Sequence, residues 1–166
     1  MIIRNEKQSD IDAIAEVTIA AFTDHPHSQN TEQFIITALR AAGALSLSLV
    51  AEIEGKVVGH IAFSPVTISG QTCDWYGVGP VSVSPNYQRQ GIGKALINEG
   101  LRLLKESGAK GCALVGDPNY YQRFDFKNYP DLILEDVPPE NFLALPFGET
   151  KPHGIMVFHE GFTARD

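Results

Sequence analysis

The chain has 166 residues, 43% hydrophobic and 20% charged, with a formal net charge of −7 from 20 acids against 13 bases. That length suits a single domain spanning 1–166, and the composition is that of an ordinary soluble globular protein. The acidic balance excludes nucleic acid and anionic membrane as main partners, because both require a basic face.

The opening "MIIRNEKQSD" is polar by Arg4, so no secretory leader is expected, and residues 2–5 read as a short strand. Ser9 with Asp12 makes a start like a capping box, and Ile11, Ile14, Ala15, Thr18 and Phe22 follow at helical spacing. "TDHPHSQN" is a loop. A second helix is predicted from about Thr31 to Ala42, with Phe34, Ile35, Ala38 and Leu39 on one face and Gly43 as its stop. The stretch "AAGALSLSLVA" is broken by Gly and Ser, far below the ~18 apolar residues of a membrane span.

Alternation then takes over. Leu47, Leu49, Ala51 and Ile53 against Ser46, Ser48, Val50 and Glu52 predict a half-buried strand. "EGK" turns it into "VVGHIAFSPVTI", and "SGQ" turns that into "TCDWYGVGPVSVS", an antiparallel meander. Gly77, Gly79 and Pro80 interrupt the third of these strands, which suits a bulge or an opened ladder. Ile92, Leu96, Ile97, Gly100, Leu101 and Leu104 mark an amphipathic helix ending near Ser107. "KGCALVG" returns as a buried strand parallel to the one before the helix. "DPNYYQRFDF" reads as a helical turn entering another strand, "PDLILEDVPPENFLALPFGETKP" as mostly loop, and "GIMVFHE" as the last strand. The order is that of an α+β domain, neither a Rossmann fold nor a barrel. Cys73 and Cys112 lie far apart without C-x-x-C spacing and read as thiols of a reducing compartment, so a cytoplasmic protein is expected.

The most informative stretch is "SVSPNYQRQGIGKALINEG", residues 82–100. A strand runs into Pro85, then a polar turn, then Gly91 and Gly93 in the first turn of a helix. A Walker loop is excluded, since Gln88 stands where its first glycine belongs and Ala95 where its Ser or Thr belongs. A dinucleotide fingerprint is excluded by Leu96 in place of its third glycine. Removing Cβ there lets a bulky anion approach unpaired N–H groups at the positive helix end, and Arg89 and Lys94 flank the turn. A pyrophosphate fits that place.

These residues resemble the acetyl-CoA signature of the GNAT superfamily of N-acetyltransferases, V-x-P-x-x-Q/R-x-x-G-x-G/A before a helix. Val83, Pro85, Gln88, Gly91 and Gly93 occupy the expected positions. With "GDPNYYQRFDF", the chain is most similar to a small bacterial branch often called YhbS-like. The resemblance covers nearly the whole chain. It implies a mixed central sheet with an antiparallel N-terminal meander, splayed between the fourth and fifth strands, and helices on both faces. It further implies acetyl-CoA as co-substrate and no metal. Its pantetheine would pair with the backbone of Val81 and Val83, and its pyrophosphate would sit on the N–H groups of Arg89, Gln90, Gly91, Ile92, Gly93 and Lys94, beside Gln88.

"YYQRFDF" matches the family's Tyr-x-x-x-Gly-Phe, which places Tyr121 as the general acid toward the departing thiolate. A phenol of pKa near ~10 is protonated at neutral pH and suits that task. Tyr120, Phe124 and Phe126 read as core aromatics, and Asp125, where glycine is usual, tolerates a left-handed turn. No residue is assigned as base. Glu52, Asp117 and His60 could substitute through water, although each also reads as a solvated or structural group, and Asp74 lies early on its strand. His25 and His27 share a loop that could touch a substrate, without enough ligands for a metal. The expected activity is acetyl transfer from acetyl-CoA to a primary amine on a small metabolite or a peptide, by direct attack. A non-catalytic acyl-CoA sensor or docking module of the same fold is the alternative. A homodimer is compatible with either.

Overall fold

A computed structural model describes residues 1–26 and 28–166. In chain order the described residues form β1 (Ile2–Asn5), α1 (Ile11–Phe22), α2 (Glu32–Ala41), β2 (Leu47–Ile53), β3 (Lys56–Ile68) and β4 (Gln71–Val83). Then follow α3 (Ile92–Glu106), β5 (Gly111–Val115), α4 (Pro118–Tyr121), β6 (Leu132–Ile133), β7 (Phe142–Pro146) and β8 (Gly154–Val157). The strands form a mixed sheet in the order β1-β2-β3-β4-β5-β7, and β8 pairs with β3 and β6 off that path. β1-β2 and β2-β3 pair antiparallel and β4-β5 pairs parallel; the β2-β3 and β4-β5 pairings are as the sequence predicts. No helix among the described residues is long and apolar enough to cross a membrane. By compactness the chain divides into two units, one of Met1–Phe63, Gly79–Leu101 and Glu160–Asp166, the other of Ser64–Val78 and Arg102–His159.

In the first unit, α1 begins differently from the expectation. Asp10, not Ser9, organises the entry: its carboxylate accepts the Lys7 N–H at 2.7 Å and the Arg4 guanidinium at 2.7 Å, closing a 3-10 turn over Gln8–Asp10. Arg4 holds that carboxyl below its usual range against the opposing effect of burial. The same guanidinium reaches Glu52 on β2 at 2.9 Å, so one side chain ties the turn to the sheet. α2 presents Ile36 to the core with Ile35 and Leu39, whereas Phe34 is only half-buried.

β2 is not half-buried. Leu49, Val50 and Ala51 are all fully buried, because helices cover both faces of this unit's strands. Ile14, Val17 and Ile36 of α1 and α2 pack on Val50 and Val57. Val50 faces His60 across the ladder, so Gly59, one residue earlier, points to the opposite face, where α3 lies. A Cβ on Gly59 would stand 3.1 Å from both Ile92 and Leu96, tighter than ordinary contact, so the missing side chain lets α3 lie close on that face.

Two buried polar residues of this unit, Ser48 of β2 and His60 of β3, belong to one chain of bonds. His60, fully buried, places Nε2 2.7 Å from Ser48 Oγ, and Ser48 donates in turn to Glu6. Glu6 accepts from Arg40 of α2 at 3.0 and 3.1 Å. Burial raises the Glu6 carboxyl, and the bonds from Arg40 and Ser48 more than offset it, leaving it below its ordinary value. Since Ser48 spends its one proton on Glu6, His60 is the donor through Nε2.

The second unit has its own core of Val66, Trp75, Ala113, Leu132, Phe142, Ala144 and Met156. The β4–β5 ladder there spans three pairs, Trp75–Gly111, Tyr76–Cys112 and Gly77–Ala113. Beyond Gly77 no further pair joins β4 to β5 among the described residues, consistent with the opened ladder expected around Pro80. Two expectations fail in this unit. "FLALP", read as loop, is β7, paired antiparallel with β5 along five residues. The segment after Phe124 is no strand, and it contributes a single bridge between Lys127 and Ala144. Both cysteines are free thiols, Cys112 buried on β5 and Cys73 half-buried on β4.

His60 gives the fold a defined acid sensitivity. Burial, with Arg40 adding to it and Glu6 opposing, lowers the imidazole from 6.5 to about 4. Between those values the unfolded chain takes up a proton that the folded chain refuses, so stability falls as pH falls from about 6.5 toward 4. The slope approaches about 1.4 kcal/mol per pH unit for one proton. Urea unfolding across that range checks this: His60→Gln should flatten the slope above about pH 5.5, where the unfolded Glu6 carboxyl, of ordinary value 4.5, is still ionised. An unchanged slope would remove His60 from the account.

Candidate active site

The glycine turn lies within the first unit. The Ser84 N–H donates to the Val58 carbonyl at 2.8 Å, which holds the end of β4 on β3. A 3-10 turn over Pro85–Tyr87 follows, and the Gly91 carbonyl accepts the Ala95 N–H at 3.0 Å as the first bond of α3. The opening N–H groups of a helix have no carbonyl one turn earlier to bond, so those of this turn are available to a ligand.

Two residues shape the approach. Gly91 has φ +84° and Arg89 φ +65°. Left-handed residues in a turn aim backbone N–H groups at a common point, the concave arrangement that holds anions. Arg89 is not glycine, and a left-handed conformation costs such a residue about 1–2 kcal/mol. Strain of that kind persists where the surroundings impose it, commonly at ligand sites. Nothing lies within 4 Å of the point where a Gly91 Cβ would stand, so the space above the turn is open. Arg89 and Lys94 are both exposed beside it.

The sequence-predicted donor residues divide by side chain. Gln88 uses its amide to brace the loop, donating to the Val83 carbonyl at 3.0 Å, and Gln90 does the same toward Asn86 at 3.4 Å. The Ile92 side chain is buried under Gly59 and offers only its N–H. Val81 and Val83 are half-buried along β4. The cradle is therefore backbone with two flanking cations. The left-handed Arg89 is the feature that residue types alone do not announce.

Tyr121 belongs to the second unit, at the end of α4. Asp117 caps that short helix, its carboxylate accepting the Asn119 N–H at 2.9 Å and its carbonyl the Tyr121 N–H at 3.0 Å. The ring is partly buried among Tyr120, Phe124 and Phe126, with centroids 4.9, 6.3 and 6.0 Å away. Burial, with a smaller effect of Tyr120, pushes the phenol up to about 12. Asp125 adopts φ +70°, the left-handed turn expected of it.

The side chains considered as bases all have structural partners. Glu52 is paired with Arg4, Asp117 caps α4, and His60 is fully buried against Ser48. Asp74 is exposed at a left-handed turn position, and its carbonyl accepts the Lys110 N–H at 2.8 Å. His25 packs its ring 5.8 Å from that of Phe22, while His27 lies outside the described residues. No group of His, Cys, Asp or Glu among the described residues could hold a metal ion.

Residues 2–128 match the family model of the acetyltransferase (GNAT) domain. The chain is 37% identical over 128 residues to an uncharacterized N-acetyltransferase, YhbS, of Escherichia coli K12, covering 76% of this chain and 74% of that protein. It is 49% identical to a GNAT family acetyltransferase from Brucella melitensis, solved in complex with acetyl-CoA, with a TM-score of 0.87 over 97% of each chain. The crystal structure of E. coli YhbS with CoA is 31% identical, with a TM-score of 0.90 over 98% of this chain and 91% of that one.

The raised phenol of Tyr121 has a spectroscopic consequence. Up to pH 10.5, wild type and Tyr121→Phe should develop equal phenolate absorbance, because the phenol removed is one that stays protonated there, its pKa being about 12. A smaller rise in the variant would show an ordinary, solvated tyrosine.

Proposed function

The chain belongs to the GNAT acetyltransferase family, and from that membership we propose how its own residues carry out the reaction. It is an acetyl-CoA-dependent N-acetyltransferase. The acetyl-CoA and CoA bound by the Brucella and E. coli relatives support the same donor here. The observation that carries the assignment of the donor site is the turn at the head of α3, with left-handed Arg89 and Gly91 and open space above Gly91. A pyrophosphate meets there the N–H groups of residues 89–94, the positive end of a helix, and two cationic side chains. The residues present fit the group. Val81 and Val83 would offer backbone to the pantetheine arm, with the Val83 carbonyl released by Gln88 or shared with it.

In the reaction a neutral amine attacks the thioester carbonyl carbon; the C–N bond forms and the C–S bond breaks. The amine loses a proton, to water or to a group reached through water, and the departing thiolate gains one. Tyr121 supplies that second proton from its phenol and regains it from solvent. A phenol raised to about 12 stays protonated throughout the neutral range, so the donor is always loaded. The acceptor is a primary amine on a small metabolite or at a flexible peptide end. The −7 charge disfavours a polyanionic acceptor.

Two variants at one position test the cradle. Gly91→Asn and Gly91→Asp both tolerate the left-handed backbone and have nearly the same shape, so the difference between them isolates charge. By titration calorimetry with acetyl-CoA, the Asn variant should bind more weakly than wild type and the Asp variant should show no measurable binding. Wild-type affinity in the Asp variant would falsify the pyrophosphate reading.

Turnover tests the acid. Thiol release from acetyl-CoA, followed across panels of amines, amino acids and peptides with mass confirmation of the product, should identify an amine acceptor. With it, Tyr121→Phe should lower kcat about 10²-fold, near the lower bound for general-acid catalysis, because water partly substitutes. Acetyl-CoA affinity should not change. A variant as fast as wild type would return Tyr121 to the core, and release with alcohols alone would overturn the amine.

A further inference from the structure

Tyr121 sits on a residue whose only contribution is what it lacks. A Cβ built on Gly116 would stand 2.5 Å from Tyr121 Cε2 and 3.0 Å from its Cδ2, inside the 3.4–4 Å of ordinary contact. The ring therefore rests on bare backbone at the turn between β5 and α4. It has no easy retreat, because Tyr120 meets it edge-on at 4.9 Å and Phe126 at 6.0 Å, and the Tyr121 N–H is bonded to Asp117.

Gly116 is itself held from a distant part of the chain. Its N–H donates to the Asn141 carbonyl at 2.9 Å, and its own carbonyl accepts the Asn141 side-chain amide at 3.1 Å. One residue, just before β7, thus holds both the N–H and the carbonyl of Gly116. A single turn bond leaves a backbone free to rock, whereas two bonds to one partner fix its plane as well as its position. Nothing in the local sequence points to Asn141, which lies 25 positions away.

We propose that Gly116 and Asn141 form a clasp that positions the Tyr121 phenol for proton donation; this rests on the reading of Tyr121 as the acid. Gly116 sets the depth of the ring by omitting Cβ, and Asn141 fixes the surface on which the ring rests. Neither touches the reacting atoms, so both are positioning residues. An added methyl displaces the ring by about 1 Å, and misplacement of that size in a catalytic group can reduce rate about 10²-fold.

The experiment is a double-mutant cycle on kcat and KM with Gly116→Ala, Tyr121→Phe and the pair. Gly116→Ala alone should lower kcat about tenfold to a hundredfold with KM for acetyl-CoA unchanged. In the Tyr121→Phe background it should lower kcat no further, because the hydroxyl it misplaces is already gone. Asn141→Ala, measured in the same two backgrounds, should follow the same pattern with a smaller loss, and it serves alone should Gly116→Ala fail to fold. Wild-type kcat in both clasp variants, or an equal loss with and without the Tyr121 hydroxyl, overturns the clasp while leaving the acid in place. A Tyr121→Phe enzyme as fast as wild type overturns both together.

Discussion

The seat of α3 on β3 is the constraint on which the donor site depends. Two glycines make it: Gly59 on the strand receives Ile92 and Leu96, and Gly100 on the helix lies where any Cβ would enter the Phe63 ring. Along the strand Gly59 and Phe63 are four residues apart, about 13 Å, and along the helix Ile92 and Leu96 lie eight and four residues, about 12 and 6 Å, from Gly100. The elements thus meet at two separated places. A helix fixed at two points along its length has a fixed end. That end is the turn at Gly91, and the strand leading into it is held on the same β3 by the bond between Ser84 and Val58. Both sides of the cradle are thereby referred to one strand, and the loop between them bridges a set distance. Within that loop Arg89 is left-handed.

The opposite face of β3 is built on different physics. There the strand carries His60, and β2 carries Ser48, both polar and both buried. Such groups destabilise a core unless every donor finds an acceptor. The chain from His60 through Ser48 and Glu6 to Arg40 supplies those partners and ends on an α2 cation at the surface. Its consequence is mechanical: β2, β3, α2 and the residue that follows β1 are joined by one set of bonds. His60 Nδ1 has no partner, the tolerable choice, since a bare lone pair costs less than a stranded N–H.

Much of this was legible from residue types. The glycine turn, the amphipathic α3, the meander and the tyrosine after β5 each rest on a local pattern, and local patterns survive folding when no tertiary contact contradicts them. The failures share a cause. The burial of β2 on both faces is decided by which helices cover it, and alternating serines suggest a solvated face until Ser48 is seen to pair with Glu6. The α1 entry is set by Arg4, six residues before Asp10, a pairing no capping rule contains. β7 is five residues long, bounded by prolines, and owes its existence to the ladder with β5. Carboxylates were hardest to sort. Glu52 and Asp117 look alike in sequence as candidate bases, and only their partners, a guanidinium and a helix N-terminus, show what each is used for.

Glycine was the most informative letter and the most ambiguous. Gly91 and Gly116 both flank a strand-to-helix turn, and the sequence reading singled out only the first. The structure separates them by what surrounds the missing side chain. Above Gly91 there is open space and the backbone is left-handed, which leaves room for the pyrophosphate proposed there. Above Gly116 the space is filled by the Tyr121 ring, so the site is shaped toward the chain itself. The first leaves room for the donor and the second sets the side chain proposed as its acid; a donor brought to a fixed place gains little unless that acid is held as closely.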